Sequence, residues 1–115
     1  MKVIIAGSRT FHDYPRLKEH MDNLAAQEKI EEVVCGGANG ADILGKKWAM
    51  ERGIPVKMFI PDWEGYGRVA GIIRNTQMGQ YADYLVAFWD KKSTGTAHMI
   101  QYMQSQGKHG EVELF

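Results

Sequence analysis

Four short apolar runs constrain this chain most: Lys2 to Ala6, Glu32 to Cys35, Val56 to Ile60 and Tyr84 to Trp89. Lys2 to Ala6 is a β-branched run without polar alternation, which suits a central strand buried on both faces; Tyr84 to Trp89 reads as another buried strand, and Glu32 to Cys35 and Val56 to Ile60 as the strands between them in the chain. Helical spacing fills the intervals. Asp13 reads as an N-cap with Pro15 in the first turn, and Leu17, Met21, Leu24 and Ala25 carry a helix to about Gln27. Ala41, Leu44, Gly45, Trp48, Ala49 and Arg52 define a second, with Gly53 as its left-handed cap and Pro55 just beyond. A third runs from about Val69 to Tyr81. Ala97, Ile100 and Met103 mark a fourth that stops near Gly107, and Glu111 to Phe115 reads as a short edge strand. Strands alternating with helices imply a parallel sheet with right-handed crossovers and helices on both faces. The expectation is one α/β domain over 1–115, three layers deep (α/β/α), around a mainly parallel five-stranded sheet.

At 115 residues the chain has room for one real core and no second one. Fourteen basic and fourteen acidic residues cancel, which disfavours strong non-specific binding to nucleic acid. A single cysteine allows no internal disulfide. Without a leader pattern or a long apolar run, a cytoplasmic setting is expected, either bacterial or, for a viral protein, that of the host. No membrane contact is expected.

In open parallel sheets ligands bind beyond the carboxyl ends of the strands, at the switch point of strand order. Gly7-Ser8-Arg9, Gly36 to Asp42, Asp62 to Arg68 and Asp90 to Thr96 all follow strands and so belong to one rim. Gly36-Gly37-Ala38-Asn39-Gly40-Ala41-Asp42 is a glycine turn leading into a helix, an arrangement that lets backbone N–H groups approach a phosphate. It is neither a G-x-G-x-x-G fingerprint nor a Walker A loop. The glycines can equally serve only a tight turn. Asp42 can stabilise the helix dipole, bond a ribose hydroxyl or act as a general base. Arg9 offers a fixed fork for phosphate or a surface ion pair. Arg74 can reach a phosphate and Asn75 a base edge or ribose, with a solvated helix face as the competing reading. Ser93-Thr94-Gly95-Thr96 is a second phosphate cradle or a simple N-cap. Pro61 to Arg68 is the longest irregular stretch, since two glycines and a proline oppose regular structure. It carries Trp63 and Tyr66, which can stack on a base, cover the core or meet a second subunit. Cys35 reads as a core residue. His12, His20, His98 and His109 are scattered, and neither a metal nor a cofactor is expected.

Taken in order, Gly7-Ser8-Arg9-x-Phe11, Gly36-Gly37-Ala38-x-Gly40-Ala41-Asp42, Asp62-Trp63, Gly67-Arg68-x-Ala70-Gly71-x-x-Arg74-Asn75-x-x-Met78, Ala87-Phe88-Trp89-Asp90 and Ser93-x-Gly95-Thr96 resemble the small YspA/YpsA-related branch of the SLOG superfamily. The resemblance runs through nearly the whole chain. It implies a Rossmann-like fold and a nucleotide or nucleotide-derived ligand. It places Gly7, Ser8 and Arg9 at one wall, Gly36 to Asp42 beneath the phosphate, and Arg74, Asn75, Gly95 and Thr96 opposite. Some members of the superfamily act as sensors in conflict systems of bacteria and phages. Its phosphoribohydrolases carry Pro-Gly-Gly-x-Gly-Thr-x-x-Glu, whose Glu and a separate Arg are catalytic. Compared with that motif, the turn at Gly36 lacks the leading Pro, its third Gly comes one residue later, and its acid is a shorter Asp.

Three functions therefore stand in order. The first is binding of a nucleotide-type small molecule, as sensor, carrier or sequestering protein, with Trp63 stacked on the base. The second is N-glycosidic cleavage with Asp42 as acid/base and Arg74 or Arg9 stabilising charge. The third is DprA-like single-stranded nucleic-acid binding, which the neutral charge disfavours. A homo-oligomer, dimer or tetramer, is expected, with a partner's Trp63 loop closing a shallow site.

Overall fold

The computed structural model describes residues 1–115. Its sheet is five-stranded and entirely parallel, in the order β3-β2-β1-β4-β5. The strands are β1 (Lys2–Gly7), β2 (Glu32–Cys35), β3 (Val56–Met58), β4 (Tyr84–Trp89) and β5 (His109–Leu114). They alternate with α1 (Tyr14–Gln27), α2 (Ala41–Glu51), a single turn α3 (Trp63–Tyr66), α4 (Ala70–Tyr81) and α5 (Thr94–Ser105). The chain therefore folds as a Rossmann-like α/β domain.

Period-two alternation divides the core between the two faces. Val3, Ile5, Val33, Cys35, Val86 and Phe88 pack with α1 and α2, whereas Ile4, Ala6, Val34, Leu85 and Ala87 pack with Met78 of α4 and Met99 and Met103 of α5. Both sets are inaccessible, which is why these strands carry no polar alternation. Trp48 is the largest fully buried side chain, and its indole N–H donates to Asp22 Oδ1 at 2.9 Å, so its one polar atom is satisfied.

Three boundaries differ from the sequence expectation. Regular β3 ends at Met58 rather than Ile60, although Phe59 N still donates to Cys35 O at 2.9 Å. β5 begins at His109, two residues earlier than its apolar pattern suggests. Its Glu111 and Glu113 face α1, where His20 lies 2.9 Å from one and 3.2 Å from the other, so long-range polar contacts hold the edge strand. The stretch after β3 is also not wholly irregular. Asp62 accepts from Gly65 N at 2.9 Å and starts α3, and a 3-10 turn (Gly67–Val69) follows. Gly67, at φ 56°, breaks the two apart. The glycines limit the helix to one turn instead of preventing it.

α4 ends under Lys108. Its Nζ donates to the carbonyls of Gly79 at 2.7 Å, Gln80 at 3.3 Å and Ala82 at 2.8 Å, satisfying acceptors that a helix end leaves open. Lys108→Met should cost about 1.5 kcal/mol, the order expected for hydrogen bonds to a charged donor. It should appear as a lower urea midpoint at unchanged m. An unchanged midpoint would show that water replaces the lysine without loss.

Candidate functional site

The order β3-β2-β1-β4-β5 reverses direction between β1 and β4, so their carboxyl ends open the crevice that such sheets use for ligands. A cavity of about 330 Å³ lies there, with walls from the end of β1, from α2, from α4 and from the start of α5. A second cavity of about 340 Å³ adjoins it on the α3 side. Arg9, Ala38 and Arg74 line both.

The glycine turn is shaped for close approach. Gly40 sits at φ 82° with a Cβ position 2.3 Å from the Ser8 carbonyl oxygen, so the turn presses onto the segment after β1. A Cβ at Gly36 would lie 2.3 Å from Arg74 Nη1. That missing methyl group is the space in which the guanidinium rests. Arg74 Nη1 donates to the Gly36 carbonyl and Nε to Asn75 Oδ1 at 3.1 Å, and Nη2 makes no hydrogen bond. Asn75 in turn donates to Gly95 O at 3.1 Å and meets His98 Nδ1 at 3.2 Å. It links α4 to α5 and orients Arg74, so its amide is already committed.

Asp42 changes the meaning of the turn. Its Oδ2 accepts from Gly36 N at 3.1 Å and from Ala38 N at 3.4 Å. Two amides that a phosphate would need are thus filled by the chain's own carboxylate. Oδ1 accepts none, and Asp42, 5% exposed, lines the first cavity. Burial pushes its carboxyl up to about 6, against the charge of Arg74 and the amides of Gly36, Ala38 and Gly7, which favour the ionised form. Burial likewise lowers the Arg74 guanidinium from its usual value, with Asp42 opposing.

The second helix start is open. Ser93, the N-cap of α5, makes no capping bond, and its hydroxyl donates to Ser8 Oγ at 2.9 Å. Ser8 Oγ also accepts from Asp90 N at 3.1 Å, tying the loop after β1 to the loop after β4. Asp90 Oδ1 accepts from the amides of Lys92 and Ser93, both at 2.8 Å, which hold its carboxyl down at about 2. The amides of Thr94, Gly95 and Thr96 have no partner, since the first helical bond is Ala97 N to Ser93 O at 3.1 Å. The Thr96 side chain is 7% exposed, makes no hydrogen bond and lines the first cavity.

Of the residues singled out in the sequence, Gly7, Arg9, Ala38, Asp42, Arg74, Asn75, Gly95 and Thr96 line the first cavity. Gly36, Gly37 and Trp63 line the second with Arg9, Ala38 and Arg74. Ser8, Gly40 and Ala41 line neither and lie buried beneath the turns. Thr10, Met78 and Met99 line the first cavity, and Ile60 and Pro61 the second, without having been candidate ligand contacts, while Asp90 and Asn39 join them from within stretches already assigned to the rim. Thr10 and Pro61 were open to detection, since each follows a strand, whereas Ile60 was read as the strand's last residue.

The all-parallel sheet with a polar crevice at its switch point is that of a Rossmann-like domain, and the crevice lies where such sheets place their ligands. The family model for the YspA, cpYpsA-related SLOG family matches residues 1–66. The chain is similar to the Gene 61 protein of Mycobacterium phage D29, with 34% identity over 113 residues, 92% of this chain and 90% of that one. This chain belongs to the YspA, cpYpsA-related SLOG family. No solved structure matches it. No helix is long and apolar enough to cross a membrane.

Proposed function

We propose that the protein binds a nucleotide-type small molecule and holds it without cleaving it, as a sensor, carrier or sequestering protein. The observation that carries this is Thr96, a residue only 7% exposed whose hydroxyl has no hydrogen-bond partner and opens onto the first cavity, at a helix start whose first three amides are also free. A phosphate there would accept those four donors and meet the positive end of the helix dipole. Arg9, exposed and unpaired, and the free Nη2 of Arg74 would neutralise it. At the α2 side the demand reverses. Asp42 Oδ1 offers an acceptor and repels anions, which suits a ribose hydroxyl. The ligand then has a fixed orientation, with its anion toward α5 and its donor toward α2.

N-glycosidic cleavage has one observation in its favour, the Asp42 carboxyl raised to about 6 beside Arg74. A second comparison opposes it. The phosphoribohydrolase pattern Gly-Thr-x-x-Glu fits Gly95-Thr96-Ala97-His98-Met99 better than it fits the turn at Gly36. Met99, 1% exposed, then stands where the catalytic Glu would be. A thioether can neither activate water nor stabilise an oxocarbenium ion.

Calorimetric titration with AMP, ADP and GMP tests the reading. One of them should bind one per chain, and Thr96→Val should weaken it about tenfold, the value of one hydrogen bond to an anion. Silence toward all three rejects it. Chromatography of the same mixtures should find no free base. Base release that disappears in Asp42→Asn would establish cleavage instead.

A further inference from the structure

We infer that the site takes a ligand of two ring-bearing units joined through a phosphate bridge, a dinucleoside diphosphate in chemical class, rather than a mononucleotide. The inference rests on the nucleotide reading above and extends it to the second cavity. Two chambers of about 330 and 340 Å³ share Arg9, Ala38 and Arg74. Small-molecule sites span roughly 300–1,000 Å³, so either chamber alone lies at the bottom of that range. A mononucleotide filling one leaves the other empty.

The chambers differ in chemistry. The first presents Asp42, Asn75, Thr94 and Thr96 above an apolar floor of Ala6, Met78 and Met99. The second has an apolar shelf of Ile60, Pro61 and Trp63, facing Gly37 and Asn39. Trp63 is 57% exposed on the single turn of α3 and forms no aromatic pair within the chain. An open indole beside a cavity offers a stacking face for a planar ring.

The junction has its own requirement. Arg9 makes no hydrogen bond or ion pair, and Arg74 keeps Nη2 free after bonding Gly36 and Asn75. Two guanidinium groups with unused donors at the shared wall call for an anion between the chambers. The first chamber is lined by the open start of α5 as well as by Arg9 and Arg74, so a diphosphate bridge there is offered both sets of donors. One nucleoside then occupies the first chamber, with its ribose at Asp42, and the second ring lies on Trp63.

Titrating the whole protein with AMP, ADP and diadenosine diphosphate tests this, because ADP supplies the bridge charge without the second unit. Diadenosine diphosphate should bind one per chain and at least tenfold tighter than ADP. In Trp63→Ala the ratio between them should fall to near one, with the melting temperature kept because the side chain is exposed. In Thr96→Val both should weaken and the ratio should persist. Equal affinities in the unmodified protein, two AMP molecules per chain, or a ratio that survives Trp63→Ala would overturn the two-unit ligand while leaving nucleotide binding intact. Silence toward all three probes would instead remove the underlying reading.

Discussion

Arg74→Ala should abolish nucleotide binding at working concentrations, and Gly36→Ala should reproduce most of that loss. The two substitutions act on one object. Arg74 reaches across the glycine turn and rests where Gly36 has no side chain, 2.3 Å from the position a methyl group would take. Alanine at 36 must displace the guanidinium, because the backbone there is pinned by Gly36 N donating to Asp42 at 3.1 Å. Removing a partly buried charge that meets an anion costs about 3 kcal/mol or more, roughly 100-fold in affinity. Arg74→Lys should not rescue it, since an ammonium cannot bond the Gly36 carbonyl, Asn75 and a phosphate together from one planar fork. The double variant supplies the sharper measurement. If Gly36 matters only as room for Arg74, Gly36→Ala should cost almost nothing once Arg74 is Ala, a coupling close to the full single-site effect. Additive losses in calorimetry would mean that Gly36 contributes to binding by its own route. Unchanged affinity in Gly36→Ala would show that the guanidinium can stand elsewhere without consequence.

The order of elements was legible because the strands are buried on both faces. Val3, Val33 and Val86 need no polar alternation when α1 and α2 cover one side and α4 and α5 the other. The convergence of four loops followed from topology alone. What each loop residue does was not legible, because those roles depend on partners far away along the chain. Ser8 reads as a residue of the ligand wall, yet it bonds Ser93 across 85 residues, at a helix start that has no side-chain cap. Asn75 reads as a recognition group, yet Gly95, 20 residues on, already holds its amide. The glycine turn reads as an anion cradle on local grounds, and so it is. Its anion is Asp42, from the first turn of the following helix. Local spacing shows that a carboxylate stands near such a turn but not which way it faces. Asp62 capping α3 and Asp90 bonding the amides of Lys92 and Ser93 are short-range events, and at α3 the two glycines argued for a loop too strongly.

Asp42→Asn should make the protein more stable and a poorer binder. The carboxyl is 5% exposed and its ionisation is moved from 3.8 to about 6, first by burial. An acid with a raised folded pKa binds its proton more tightly when folded than when unfolded. Its contribution therefore favours the fold at low pH, declines as pH rises from about 4 to about 6, and stays lost above that. A displacement of that size is on the order of 3 kcal/mol. Asp22 and Asp90 are shifted in the opposite direction, so their contributions are lost only below the usual carboxylate range and do not mask the window. Asparagine keeps an oxygen for the amides of Gly36 and Ala38 and removes the buried charge. At pH 7.5 the variant should gain about 2 kcal/mol, and below pH 4 the two proteins should converge. Urea unfolding of both across pH 4 to 8 reads the difference directly. A variant less stable than its parent at pH 7.5 would mean that the charge, held by the amides of Gly36 and Ala38 and by Arg74, stabilises the turn after all. Affinity should move the other way, falling at least tenfold where a ribose hydroxyl meets an amide that both donates and accepts in place of a carboxylate. A buried charge that costs stability and supports binding is what a site kept for its ligand would retain. If Asp42→Asn gained stability at no cost in affinity, the carboxylate would be only the filling of its own glycine turn.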